Sequence, residues 1–187
     1  MGKRREKRSL RHMKARQMLT GNGIYKKNSL VNWEMRKKTN KLIIMKLTPN
    51  VTRIEDIAKA AESSGADAVS AINTVVGMAI DIRTHKPKLN TTFGGLSGPA
   101  IKPIALANVH KVFKAVKIPV IGIGGIATAE DVVEFILAGA SLVQIGTMNY
   151  QNPNLGPQLK EELSKYLNDN GIKDLGELIG KVKYHSD

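Results

Sequence analysis

The sequence predicts an α/β fold built on a parallel sheet, and three observations predict it. Short apolar runs recur four times between residues 42 and 145. Each run is followed, directly or after a loop, by a stretch whose apolar side chains have helical spacing. Strand and helix patterns alternate along the chain, which puts crossover helices between parallel strands.

The first run, Leu42-Ile43-Ile44-Met45, ends at Lys46, and its unbroken apolar character predicts a strand buried on both faces. Thr52 and Glu55 have the spacing of a capping box, Ile54, Ile57, Ala58 and Ala61 fall on one helical face, and Gly65 stands where that helix would stop. A second strand is expected over Ala68-Val69-Ser70-Ala71-Ile72. A long excursion from Asn73 to Gly98 precedes a helix opening at Pro99, with Ile101, Ile104, Ala105, Val109, Val112 and Phe113 inward. Val120-Ile121-Gly122-Ile123 predicts the third strand. Thr128 and Asp131 then form a second capping-box pair, ahead of Ala129, Val132, Val133, Ile136 and Leu137 on one face and Gly139 at the stop. Leu142-Val143-Gln144-Ile145 is the fourth strand, and shorter helices are expected near 157–168 and 174–179.

Four βα units fit either a doubly wound sheet or part of an eightfold barrel, and the pattern alone does not choose. A complete (βα)8 barrel takes about 250 residues, whereas only the part of this 187-residue chain after residue 40 is patterned. A barrel would therefore be a partial one of four units.

The first forty residues differ in kind. They hold thirteen Lys or Arg against Glu6 and Glu34, so most of the formal charge of +13 lies there, and they show no apolar face of useful width. A segment with so little to bury is expected to be poorly structured. This divides the chain into a basic segment, 1–40, and an α/β part, 41–187. A basic arm for nucleic acid is the sharper reading of the segment, but nucleic acid is an unlikely partner because no aromatic side chains are interleaved in the dense run from Lys3 to Arg16 and no recognised nucleic-acid fold accompanies it.

Composition excludes other classes. With no cysteine there are no disulfides, thiolate metal sites or cysteine nucleophiles. The four histidines, His12, His85, His110 and His185, lack ligand spacing, so no metal is expected. No apolar run approaches the length of a membrane span, and no apolar core follows the charged start as in a secretory signal. The expected location is the cytoplasm, which discounts the sequons at Asn50 and Asn90.

Chemistry concentrates at the predicted strand ends. Gly124-Gly125 follow the third strand and Gly146-Thr147 the fourth, where backbone N–H groups could reach an oxyanion without a Cβ in the way. Ordinary tight turns are the plainer explanation. Lys46 closes a strand, and its ammonium should point toward an anion or into solvent. Asn73-Thr74 offer an amide and a hydroxyl for a polar ligand, or an Asx turn. Gly94-Gly95-Leu96-Ser97-Gly98-Pro99 closes a loop long enough to be a binding element.

Five segments then carry a resemblance. Lys46-Leu-Thr-Pro-Asn, Ile72-Asn-Thr, Gly94-Gly-Leu-Ser-Gly-Pro-Ala-Ile-Lys-Pro, Ile118-Pro-Val-Ile-Gly-Ile-Gly-Gly-Ile and Val143-Gln-Ile-Gly-Thr resemble, in this order and spacing, the catalytic subunit of dihydroorotate dehydrogenases, especially the NAD-linked two-subunit type. The resemblance covers the C-terminal half of that family's FMN-binding (βα)8 barrel. It implies that Lys46, Ile72, Gly98, Gly124, Gly125, Gly146 and Thr147 contact FMN, and that Asn73 and Thr74 face dihydroorotate or orotate. It also implies an oxidoreductase of de novo UMP synthesis. Such an enzyme is oligomeric and partnered by an iron–sulfur flavoprotein that passes electrons to NAD.

The departures from the family are as specific. The family's base is a cysteine on the first half of the barrel, and no cysteine stands here, so no catalytic residue is assigned. Residues 1–38 bear no resemblance to the family, and a truncated and impaired enzyme is expected. Two other readings are open: a related FMN barrel acting on free pyrimidines or tRNA uridine, and a non-enzymatic basic nucleic-acid binder on a half-barrel scaffold.

Overall fold

A computed structural model describes residues 36–185. Four parallel strands form the main sheet: β1 (Ile44–Leu47), β2 (Ala68–Ala71), β7 (Val120–Ile123) and β8 (Leu142–Gln144), in that spatial order. A doubly wound sheet reverses its strand order part-way across. This sheet never does, so it is one arc of a (βα)8-type barrel.

The helices α1 (Ile54–Ser63), α2 (Lys102–Ala115) and α3 (Ala129–Ala138) follow successive strands and pack side by side, with α5 (Leu155–Asp169) next to α3. They share one core with the sheet. Ile54, Ile57, Val109, Val112 and Phe135 bury against Leu47, Val69, Ala71 and Val120. α3 has the expected start: Thr128 Oγ1 accepts from the Asp131 amide, the Asp131 carboxylate accepts from the Thr128 amide, and Gly139 ends the helix in the left-handed region. Phe135, which the apolar pattern did not single out, is fully buried, and Gly122 lets it approach the sheet, since a Cβ there would meet its ring at 2.5 Å.

The opposite, concave face is where the structure departs from the sequence reading. Lys46, Ser70, Ile121 and Leu142 lie in register across the four strands and share that face. At the two outer strands it is open: Ile44 is 44% exposed, Leu142 62% and Leu42 72%. β1 is therefore buried on the helical side alone, not on both, because the concave face is covered only toward the middle of the arc. There Ser70 is buried and its hydroxyl donates to Gln144 Oε1 at 2.9 Å.

Three further expectations shift. The Thr52–Glu55 capping box does not form: α1 begins one residue later, with Arg53 as its uncapped N-cap and ion-paired to Glu55 and Asp56. Ile104 is exposed, because a 3₁₀ turn (Pro99–Ile101) precedes α2 and the first helical turn faces outward. The excursion from Asn73 to Gly98 holds two antiparallel pairs, β3 (Val75–Gly77) with β6 (Gly94–Leu96) and β4 (Ile80–Asp81) with β5 (Lys86–Pro87). A one-turn helix, α4 (Met148–Gln151), follows β8, and the last expected helix is a 3₁₀ turn at Leu175–Leu178.

Most of the basic segment lies outside the described residues. Arg36, within its described end, ion-pairs with Asp67 and donates to Gly65 O at 3.0 Å. The Ile43 amide also donates to Asp67 at 2.7 Å, so one carboxylate ties the start of β1 to the turn before β2. That amide bond, with the guanidinium, holds the Asp67 carboxyl below its ordinary pKa. Among the described residues no helix is long and apolar enough to cross a membrane.

Candidate functional site

In a parallel sheet every strand delivers its C-terminal end to the same side, so the loops leaving β1, β2, β7 and β8 meet at one rim of the arc. Lys46 stands next to the end of β1, Ile72-Asn73-Thr74 follow β2, and Gly124-Gly125 follow β7. Gly146-Thr147 lie just beyond β8, and Ser97-Gly98 bring the end of the long excursion back to the same rim before α2. Together they line one cleft of about 140 Å³.

All nine residues that the resemblance assigns to FMN or the pyrimidine lie there: Lys46, Ile72, Asn73, Thr74, Gly98, Gly124, Gly125, Gly146 and Thr147. Three more complete the lining. Ile101 and Ile123 add an apolar floor, and Ser97 adds a hydroxyl that accepts from Thr147 Oγ1 at 2.8 Å. Ser97 lies in the stretch expected to form a binding element, but it was not assigned a ligand. Its contact with a residue fifty positions away has no signature in local sequence.

The glycine turns are shaped by close approach. Gly124 and Gly125 have φ of 139° and 84°, in the region that disfavours side chains. A Cβ on Gly125 would stand 2.9 Å from Gly98 O and from the Lys102 amide nitrogen, so this turn rests directly on the start of α2. Gly146 has nothing within 4 Å of its Cβ position. The N–H groups of Gly124, Gly125 and Gly146 donate to no described residue. Glycines whose amides no described residue engages, lining one cleft at a rim that also carries a lysine, make a donor set suited to an oxyanion. Lys46 is exposed, and its ammonium has no hydrogen bond or ion pair with a described residue.

The loop after β2 is held from outside. Asn50 Nδ2 donates to Thr74 O at 2.9 Å and Asn50 Oδ1 accepts from the Val76 amide at 2.9 Å. Asn73 Oδ1 accepts from the amide of the next residue, Thr74, at 2.8 Å, one residue short of the Asx turn weighed from sequence, and this leaves Asn73 Nδ2 as the polar group for a ligand. Among the described residues no group of three or more His, Asp or Glu could hold a metal.

The five segments that carried the resemblance thus meet at one rim, and comparison with known proteins agrees on what they belong to. The dihydroorotate dehydrogenase family model matches residues 11–167. The chain belongs to the dihydroorotate dehydrogenase family. The match begins at residue 11, inside the segment expected to bear no resemblance. The chain is 56% identical over 138 residues to the catalytic subunit of dihydroorotate dehydrogenase B (NAD(+)) from Desulforamulus reducens, covering 74% of this chain and 45% of that one. It is 53% identical over 142 residues to a putative dihydroorotate dehydrogenase A (fumarate) from Solibacter usitatus, covering 76% and 47%. With the B-type catalytic subunit from Geotalea uraniireducens it shares 52% identity over 161 residues, covering 86% and 52%. The chain spans about half the length of the curated relatives it matches.

Proposed function

We propose that this cleft holds the phosphate end of FMN and that the chain supplies the flavin-phosphate half of a site oxidising dihydroorotate to orotate in UMP synthesis. One observation carries the reading. The free amides of Gly124, Gly125 and Gly146 and the ammonium-bearing Lys46 belong to a single cleft, at the strand ends where barrels commonly hold phosphates.

The residues present fit the group. The two glycine turns offer donors without side chains in the way, and Thr147, whose own proton goes to Ser97, leaves the Ser97 hydroxyl free to donate. The cleft is smaller than the roughly 300–1,000 Å³ of a complete small-molecule pocket. It therefore suits a phosphate and the start of its chain, and the flavin ring system would extend onto the open concave face. FMN, when bound, supplies the hydride acceptor. Lys46, on the face that ring would cover, offsets negative charge there, and Asn73 with Thr74 orients the pyrimidine. Ile72, Ile101 and Ile123 keep water from the inner wall.

The sequence contains no cysteine to remove the substrate proton. We therefore expect the 187-residue chain to bind FMN while turning dihydroorotate over slowly or not at all. In the complete reaction electrons would pass to NAD through an iron–sulfur flavoprotein subunit.

Titration of the purified chain with FMN and with riboflavin tests the reading. The phosphate should make FMN bind at least about tenfold more tightly. Equal affinities would remove the phosphate from this cleft, and dihydroorotate oxidation at an ordinary enzymatic rate would refute the expected impairment.

A further inference from the structure

Lys102, the first residue of α2, is engaged away from the cleft. Its Nζ lies 2.5 Å from Asp131 Oδ1 and 2.8 Å from Glu134 Oε2, both on α3. Asp131 Oδ2 meanwhile accepts from the amides of Ala127 and Thr128 at 2.8 and 2.9 Å. Those amides belong to the short connection that leaves Gly124-Gly125 and enters α3. One carboxylate therefore grips the connection behind the β7 glycine turn, and through Lys102 grips the start of α2 as well. The backbone of Lys102 touches the same turn from the other side, 2.9 Å from the Cβ position of Gly125.

The charges matter as much as the contacts. A phosphate at Gly124-Gly125 would sit close to the N-terminus of α3, whose first turns carry Glu130, Asp131 and Glu134. Three carboxylates beside an anion site oppose binding. Lys102 is the only cation paired with any of them among the described residues.

We propose that Lys102 and Asp131 are positioning residues for the phosphate cradle: their bridge locks the Gly98 and Gly124-Gly125 turns in one register and offsets the carboxylate charge that α3 would otherwise present to the phosphate. The inference rests on the phosphate reading given above and assigns its supporting elements. Neither side chain lines the cleft.

The test uses the 187-residue chain with FMN and riboflavin as probes, and amide hydrogen exchange as an independent readout. Lys102→Met should weaken FMN by about tenfold while riboflavin changes by less than about twofold. It should also speed exchange at Ala127 and Thr128 by about tenfold. Lys102→Arg, which can still bridge two carboxylates, should restore most of the FMN affinity. Should Lys102→Met prove unstable, Glu134→Gln loosens the bridge more gently and should give a smaller loss of the same selectivity. Equal losses for both flavins, or an unchanged FMN preference, overturn the proposal. If the unmodified chain shows no preference for FMN, the phosphate reading has failed by itself; exchange then judges the bridge, and unchanged exchange in Lys102→Met overturns that too.

Discussion

Thr147 Oγ1 donates a hydrogen bond to Ser97 Oγ at 2.8 Å, joining the exit of β8 to the end of the long excursion. This contact crosses the rim of the cleft and is the direct polar tie between these two segments among the described residues. A neutral bond at a partly exposed position contributes about 0.5–1.5 kcal/mol. Thr147→Val should therefore lower the urea midpoint only slightly but weaken FMN by about threefold to tenfold. Isothermal titration beside a denaturation curve separates the two effects, and unchanged FMN affinity would dismiss the Thr147–Ser97 hydroxyl pair from the phosphate site.

Gly125 and Gly146 make a matched pair. Gly125→Ala places a methyl 2.9 Å from backbone atoms of Gly98 and Lys102, at a φ of 84°. Backbone cannot yield cheaply there, and a loss of at least about 2 kcal/mol is expected. Gly146→Ala meets nothing within 4 Å and should alter stability by less than about 0.5 kcal/mol. A fall in FMN affinity in the second variant would then report on the site and not on the fold.

Lys46→Met removes an exposed ammonium with no partner among the described residues, so the melting temperature should stay within a degree or two. Binding of FMN should weaken by about tenfold, and more at low ionic strength than at high. Salt-insensitive binding, equal to that of the unmodified chain, would show that this charge does not face the flavin.

The Lys102–Asp131 bridge contributes to the pH dependence of stability. Burial pushes the Asp131 carboxyl up, but the Lys102 ammonium and the Ala127 and Thr128 amides outweigh it and hold the pKa below its ordinary value. Its contribution is present above about pH 4, the ordinary carboxyl range, and is lost as pH falls through the lowered value. Lys102 is raised by Asp131 and then Glu134, so its contribution persists through neutral pH and is lost only well into the alkaline range. Urea midpoints measured from pH 2 to 7 should fall steeply below about pH 4, and Asp131→Asn should flatten that limb.

Phe135 tests the helical layer. It is fully buried between α3 and the sheet, and Phe135→Ala should cost about 3–5 kcal/mol, seen as a shifted denaturation midpoint. A cost under about 1 kcal/mol would mean that the layer collapses to fill the space.

The elements that were legible were those whose cause is local. Thr128, Asp131 and Gly139 delimit α3 within a dozen residues, and the structure has the helix between them. Thr52 and Glu55 have equally good spacing and formed no box: the helix starts one residue later, where Ile54 is buried in the core and Arg53 is the N-cap. Capping signals rank candidate ends, whereas packing selects among them. The exposed Ile44 and Leu142 were illegible for a related reason: an apolar run states that burial is favourable, not that a partner surface is present.

By itself, then, the sequence determined the four βα units, the glycine turns that follow β7 and β8, and the family to which the residues of the rim point. All of these follow from propensity, periodicity and motif, which act within a few residues. Only the tertiary structure decided that the strands run in unreversed order, that the nine residues share one cleft with Ser97, and that Lys102 reaches across to Asp131. Those are relations between segments about twenty to a hundred residues apart, set by how the helices pack against the sheet.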